Sequence, residues 1–573
     1  MDHGESSEIG KDLSESLLLD KKTSSQFQDK SQLQHQPGHW NAAAIILGFE
    51  CLQSTAYFGI YTNLVRYLKT VLHGSNASNA ANAAIWNGTS FFTSLIGAFI
   101  ADTFCGNYQT VFFSSLIFLL GLLIITSTSL IPSLRPSPCE GLVPSCLPAT
   151  TVQTIASFSG LYLMAFGSGG LKGVVLPLGA DQFDENNFAE REQKGIFFHW
   201  FYVSFTFGIL MSGTLIVFVE ESIDWPLGFS ICTLCLALAL SALIISKPVY
   251  RLRKPTGSPL KRILQVLVAC FSKISSEIPT DTNLLFETKH TDYKRQRLAH
   301  TNDFRFLDKA AIVSDTDGDD IEHRNPWKLC TITEVEELKT VLRLLPIWVT
   351  GIIFQAAFSQ ICTTFILRGS AMETRIFSSL SIPPASLSSF EVVSVMFCVL
   401  LYNKIIMPMS KQLFRNGAGL SKLQRMGIGR FLIIIVMVTA GSVETIRLKR
   451  IKNGNGLTNI TWQLPQYFIA AVSDMFNNIS QAEFFYDQAP ESMKSLCTAF
   501  GLLTVALGSY LSSFIITAVQ FVTAQNGRSG WISDDLNDGH LDYFFWVFAG
   551  ICAVNFMLYL AFAWNFTLKR VVI

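Results

Sequence analysis

Apolar residues bunch along this chain into blocks of about twenty, each bounded by a polar or Gly- and Pro-bearing turn. The blocks fall at roughly 41–68, 83–101, 108–131, 152–178, 196–219, 226–246, 340–364, 385–408, 427–447, 463–486, 496–521 and 542–565. A helix needs about twenty residues to cross a hydrocarbon core roughly 30 Å thick. No stretch alternates apolar and polar residues as a barrel strand does, and only a helix or a closed barrel satisfies its backbone polar groups in lipid. The pattern therefore predicts an all-α membrane protein with twelve transmembrane helices.

The longest polar interruption, 247–339, divides the blocks six and six. From Lys247 to Arg343 it carries about 17 Lys and Arg residues, the density that marks a cytoplasmic loop. An even number of spans on each side places both termini with it. The expected order is a disordered cytoplasmic tail over 1–39, a six-helix bundle over 40–246, a cytoplasmic central loop over 247–339, a second six-helix bundle over 340–566, and a short cytoplasmic tail over 567–573. The first tail is polar and rich in Ser and Gln, with no cleavable signal peptide. Its Leu17-Leu18-Leu19 run loosely resembles an acidic dileucine sorting signal. Two bundles around a long basic loop are the layout of the major facilitator fold, whose site lies between the halves near mid-membrane. On this topology Cys139 and Cys146 are outside and form a candidate disulfide. Asn76 (Asn-Ala-Ser) and Asn459 (Asn-Ile-Thr) are outside as candidate glycan acceptors.

Composition narrows the function. Charged residues make up 15% of the chain, against about 25% in soluble proteins. Net charge is zero, so no nucleic-acid partner is expected. The twelve Cys and nine His show no metal-ligand grouping. There is no phosphate-binding Gly-Lys-Ser/Thr loop and no Ser nucleophile elbow. No enzyme activity, metal or cofactor is expected; the partners are a small-molecule substrate, protons and the lipid bilayer.

Ionisable residues inside spans carry the chemistry, because each costs about 2.5–3.5 kcal/mol at bilayer depth on insertion scales. Glu50 lies in the first span, Lys172 after the Gly167-Ser168-Gly169-Gly170 run of the fourth, and Asp474 and Glu483 in the tenth. Lys172 calls for a carboxylate partner, and Glu50 is the one in the same half. Asp474 is expected across a central cavity from Lys172. Glu483, nearer the cytoplasmic end, reads as a structural contact. Asp102, closing the second span ahead of Gly106, reads as a conformational latch at a neighbouring helix start.

From about Trp40 to Trp564 the chain closely resembles the plant nitrate and peptide transporter (NRT1/PTR) family, the plant branch of the proton-dependent oligopeptide transporters. The resemblance rests on Tyr57-Phe58-Gly59-Ile60, Leu95-Ile96-Gly97-Ala98-Phe99-Ile100-Ala101-Asp102, Gly179-Ala180-Asp181-Gln182-Phe183-Asp184, Ile382-Pro383-Pro384-Ala385-Ser386-Leu387, Leu423-Gln424-Arg425-Met426-Gly427, Phe484-Phe485-Tyr486-Asp487-Gln488-Ala489-Pro490 and Gly539-His540-Leu541-Asp542-Tyr543-Phe544-Phe545-Trp546. It implies a major facilitator fold and alternating access, with nitrate, peptides, amino acids, hormones or specialised metabolites as substrates. Lys172 matches the family's fourth-span Lys. Asp474 stands where many members have Glu. Thr110 stands where some members have a phosphorylatable Thr, and an ordinary helix Thr is the reading favoured here.

Departures from the family pattern matter as much. Its first-span motif is Glu-x-x-Glu-Arg or Glu-x-x-Glu-Lys, tied to proton coupling; here it is Glu50-Cys51-Leu52-Gln53-Ser54. Gln53 hydrogen-bonds but carries no proton through a cycle. Weak or absent proton coupling is the resulting expectation. Phe358 replaces the His of some nitrate carriers and Asn107 the basic residue that usually follows Gly106. The expected function is secondary transport of a small solute, with a weak lean to nitrate from family frequency; the alternative is a non-transporting solute sensor. Plasma membrane and vacuolar membrane both remain open.

Overall fold

The computed structural model describes residues 40–137, 148–184, 187–252, 259–275, 285–287, 298, 300–313, 325–377, 380–413, 420–490, 494–525 and 529–566. Both expected tails, with Cys139 and Cys146, lie outside them. Eleven helices among the described residues are long and apolar enough to cross a membrane. They are α1 (Trp40–Thr70), α2 (Asn76–Cys105), α3 (Asn107–Leu130), α4 (Thr151–Ala180), α5 (Glu190–Ser222), α6 (Trp225–Ile245), α7 (Ile332–Ser370), α8 (Pro384–Met409), α9 (Lys422–Lys452), α11 (Ala499–Thr523) and α12 (Leu541–Trp564). The tenth expected span is also helical. This α10 runs through Leu464–Asp474, a π turn Met475–Ile479 and Ser480–Gln488. It misses the apolarity of the others because Asp474, Asn477, Asn478, Gln481 and Glu483 stand in it, as in a helix that faces a polar hollow. The chain is a twelve-helix major facilitator fold of two six-helix bundles, with a small antiparallel hairpin, β1 (Arg375–Phe377) and β2 (Leu380–Ser381), between α7 and α8.

Local sequence sets the helix ends. Capping boxes start α4 (Thr150 with Gln153), α7 (Thr331 with Glu334) and α9 (Ser421 with Gln424), each pairing backbone N–H groups that a first turn leaves free. The last turn of α2 is a π turn, Ala101–Cys105, stopped by Gly106 at φ 74°. Glycine takes that left-handed backbone without a Cβ clash, and the chain reverses at once into α3.

Small residues then set how closely the helices approach. A Cβ on Gly97 of α2 would lie 2.6 Å from the Cα of Gly170 on α4. One on Gly167 would lie 2.3 Å from the backbone N of Phe118 on α3. Lipid tails give no hydrophobic drive between helices, so close backbone packing supplies the attraction.

The segment between the halves is not bare loop. A helix at Pro259–Ser272 and a 3-10 turn at Arg305–Ala311 bury Val266, Ala269, Leu307 and Ala310 against Val335 and Leu338 at the start of α7. Beneath them the buried Lys339 ammonium meets Asp308 Oδ1 at 2.7 Å and Glu336 Oε1 at 2.8 Å. His300 and Arg343 complete the cluster on Asp308 and Glu336. The central segment is thereby fastened to the second half.

We call the end holding this segment the near end and the opposite one the far end. At the far end Asn76 donates its backbone N–H to Asp534 Oδ1 (2.8 Å) and its Nδ2 to the Ser533 carbonyl (2.8 Å), tying the halves together. At mid-span Asn87 bonds Ser509 (3.0 Å) and Tyr510 bonds Thr89 (3.1 Å). At the near end each half bonds to itself: Asn107 to Asp181 and Arg251 to Glu190 in the first, Arg425 to Glu483 and Lys422 to Asp487 in the second.

Gly167→Leu should separate α3 from α4 and cost about 1–3 kcal/mol or more. Unfolding of the detergent-purified variant measures this, with the lipid-facing Phe113→Leu, on a side chain 56% exposed, as the neutral control.

Candidate functional site

A cavity of about 300 Å³ lies between the halves, within the range of small-molecule pockets. The first half contributes an aromatic wall, Phe58, Tyr61, Phe91 and Tyr202 among others, and the second half contributes Phe358, Glu391, Asp474 and Asn478. Asp474 sits where the regular turn of α10 gives way to the π turn Met475–Ile479. Insertions of this kind re-aim side chains and recur at functional sites. Asn478 Nδ2 donates to Asp474 Oδ1. Glu391, on α8, is 9% exposed and within Coulombic reach of Asp474. The wall thus carries two carboxylates, and among the described residues no Lys, Arg or His lines it.

Lys172 is placed differently from the sequence expectation. It does not line the cavity. Its Nζ donates to Ser90 Oγ at 2.7 Å and lies 3.6 Å from the Tyr57 ring centroid and 3.9 Å from that of Phe91. Phe91 is a wall residue, and the Tyr57 hydroxyl donates to Asn87 Oδ1, another wall residue, at 3.0 Å. The ammonium is therefore one side chain behind the wall, in an aromatic box backed by the Tyr57–Trp86 stack (centroids 5.1 Å apart, 15° between planes). Lys172 is part-exposed, and ring faces attract a cation by about 0.5–2 kcal/mol, so the hydroxyl and the rings stand where a contact carboxylate was expected.

The expected Glu50–Lys172 ion pair is not formed. Glu50 is buried and accepts from Gln53 Nε2 and Ser54 Oγ, both at 3.2 Å. Lys172 acts on it only at longer Coulombic range. The two substituted positions of the first-span motif have become the hydrogen-bond donors of its remaining acid. Donors three and four residues on along one helix reach it with no help from α4.

The other sequence-selected residues divide. Phe358 is in the wall, its ring stacked on Phe354 (6.2 Å, 14°). Glu483 pairs with Arg425 at the near end. Asp102 has no hydrogen bond or ion pair among the described residues, and the bond beside it, Asn107 to Asp181 (2.7 Å), lies within the first half instead of latching the two. Gly106 makes the turn described above. Thr110 is buried and bonds its own helix, to the Gly106 carbonyl (2.9 Å), so this conformation hides it from a kinase. Asn76 corrects the glycan expectation: it is fully buried with its Nδ2 engaged across the halves. Asn459 is part-exposed, with its Nδ2 on the Arg375 carbonyl.

Sequence reasoning passed over Glu391, which stands so near the start of its apolar block that it resembles a span-end acid. The missed signal was that Glu391 is the only charge between Pro384 and Tyr402. The expectation that the cysteines show no metal-ligand spacing is corrected by Cys232 and Cys235, a Cys-x-x-Cys pair; both thiols are free and lie inside α6.

A profile described as "PTR2: POT family" matches residues 108–532. Protein NRT1/PTR FAMILY 8.3 of Arabidopsis thaliana is 43% identical over 574 residues, covering 98% of this chain and 97% of that one. Protein NRT1/PTR FAMILY 8.5 of the same plant is 42% identical over 537 residues, covering 93% and 91%. Among solved structures, an auto inhibited POT family peptide transporter superposes with a TM-score of 0.69 at 19% identity, covering 92% of this chain and 98% of that chain.

Tyr57→Leu strips a ring from the Lys172 ammonium and should destabilise the protein by about 2–4 kcal/mol. Tyr57→Leu with Lys172→Met should recover more than about 1 kcal/mol of that. Unfolding of the single and double variants forms the cycle, and simple additivity would show that ring and ammonium are not coupled.

Proposed function

The chain belongs to the POT family of transporters, and we propose that it carries a small amine-bearing solute, of the size of a short peptide, through the cavity between its halves. The observation that supports this reading is the acidity of the wall: Glu391 and Asp474 line it, and among the described residues no basic side chain does. A protonated amine gains charge-assisted hydrogen bonds there, each worth about 1.5–3 kcal/mol. Nitrate would meet acidic side chains, and no basic one among the described wall residues. The wall thus argues against the family-frequency lean to nitrate. The aromatic rings of the first half offer an apolar bed for the rest of the solute.

Sidedness belongs to the same proposal. The basic central segment supports a cytoplasmic near end and cytoplasmic termini. The halves are bonded to one another at mid-span and the far end, and to themselves at the near end, which supports a cavity facing the cytoplasm and a second conformation that opens the far end. The membrane is the plasma membrane or the vacuolar membrane. Proton drive is weak, because Glu50 has exchanged its acid and base neighbours for two neutral donors.

In proteoliposomes, uptake of an alanyl dipeptide should saturate and exceed uptake of its N-acetylated form and of nitrate. Asp474→Asn and Glu391→Gln should each raise the half-saturating dipeptide concentration about tenfold or more. Saturable nitrate flux that both variants leave intact would overturn the substrate class, and binding with no flux of any solute would favour the sensor. Restoring Gln53→Glu with Ser54→Arg should steepen the dependence of uptake on an imposed pH gradient, which wild type shows only weakly; an already steep wild-type response would count against weak drive.

A further inference from the structure

Away from the cavity, near the far end of α5, a further carboxylate is buried without a contact cation among the described residues. Glu220 is 2% exposed and Asn63, facing it from α1, 1%. Asn63 Nδ2 donates to Glu220 Oε2 at 2.9 Å. The other oxygen of each group, Glu220 Oε1 and Asn63 Oδ1, is buried with no hydrogen-bond partner among the described residues. Two acceptors left together in an apolar interior cost about 1–3 kcal/mol each. A carboxyl and an amide that already share one bond become complementary on both edges when the acid gains a proton: Oε1–H then donates to Oδ1 and closes the pair.

The surroundings leave the charge of Glu220 unanswered. Arg66, one turn along α1, is taken by Glu221 at 3.1 Å. From α6 the nearest ionisable group is the Cys232 thiol, which is buried. Gly228 of α6 supplies only room, since a Cβ there would lie 2.3 Å from Glu220 Cγ. The start of α8, Pro384 to Ser386, brings no ionisable group. One turn before Glu220 on α5, Val217 packs on Ile366 and Ala385 of the second half, so the acid stands beside an apolar contact between the halves.

We propose that Glu220 is a proton-binding site, holding between its carboxyl and the Asn63 amide a single proton taken from the far-side water. The proton pins α1 to α5 beside that contact, and its return to that water leaves an ionised carboxylate that the pocket does not accommodate. The site lies apart from the first-span motif and from the two cavity acids, and its test reads protonation and stability, so it stands or falls independently of which solute is carried.

Infrared difference spectra of the purified protein across a pH titration should contain the C=O stretch of a protonated carboxyl that is missing in Glu220→Gln and shifted in Asn63→Ala. Linkage predicts a second result. The folded chain holds one proton that the unfolded chain releases near neutral pH, so raising the pH lowers stability. Over the pH range where both conditions hold, the folded-to-unfolded ratio of wild type should fall by up to about tenfold more per pH unit than that of Glu220→Gln. The glutamine amide supplies the same donor permanently, so this variant should fold and should be at least as stable as wild type at the alkaline end. A Glu220→Gln protein that fails to fold, or one with the wild-type pH response and carboxyl band, would show that the site holds an ionised carboxylate and overturn the proposal.

Discussion

Inside a hydrocarbon slab a polar group has no water to turn to, so every charge and every hydrogen-bonding group in these helices must find its answer in another residue. Three of the deep charges find it in different ways. The Lys172 ammonium has a hydroxyl and two ring faces. Glu50 has an amide and a hydroxyl from its own helix. Arg447, fully buried in α9, has Glu444 one turn back, with Asn537 and the Leu536 carbonyl. Glu391 and Asp474 have each other, Asn478 and the cavity they line.

Backbone geometry decides which of these groups can meet. Glycines on α2 and α4 bring the helices into contact, which carries Ser90 and Phe91 to Lys172. The π turn after Asp474 and the one at Ser212–Ile216 in α5 break the regular helical phase on opposite sides of the cavity. Beside the second, Gly213 lets Ser389 of α8 approach where a Cβ would lie 2.2 Å from its Oγ. Among the described residues the hydrogen bonds named between the halves lie at mid-span and the far end, beside an apolar contact of Val217 with Ile366 and Ala385. An interface of that kind can be exchanged for another at modest cost, which alternating access requires.

Much of this molecule was legible in its sequence. The apolar blocks are read directly because the bilayer imposes one length on every span. The six-and-six division follows from one long basic stretch. Asp474 and Phe358 were found, because a charge or a replaced family residue in a span is conspicuous by itself. Glu391 was not, since its place in the wall depends on how far α8 leans into the cavity. The Lys172–Glu50 pairing also went astray: choosing the acid in the same half took no account of the rings on α1 and α2, which reach the ammonium first.

The sequence by itself determined that the chain spans a membrane, the number of spans, the family and the residue types present at depth, because those depend on local length, polarity and motif. Only the tertiary structure decided which charges face the cavity, which lie one side chain behind it, and which oxygens are left without donors. Such assignments depend on separations of a few ångströms between helices distant in the chain, and hydrogen bonds and cation–π contacts die away over that distance.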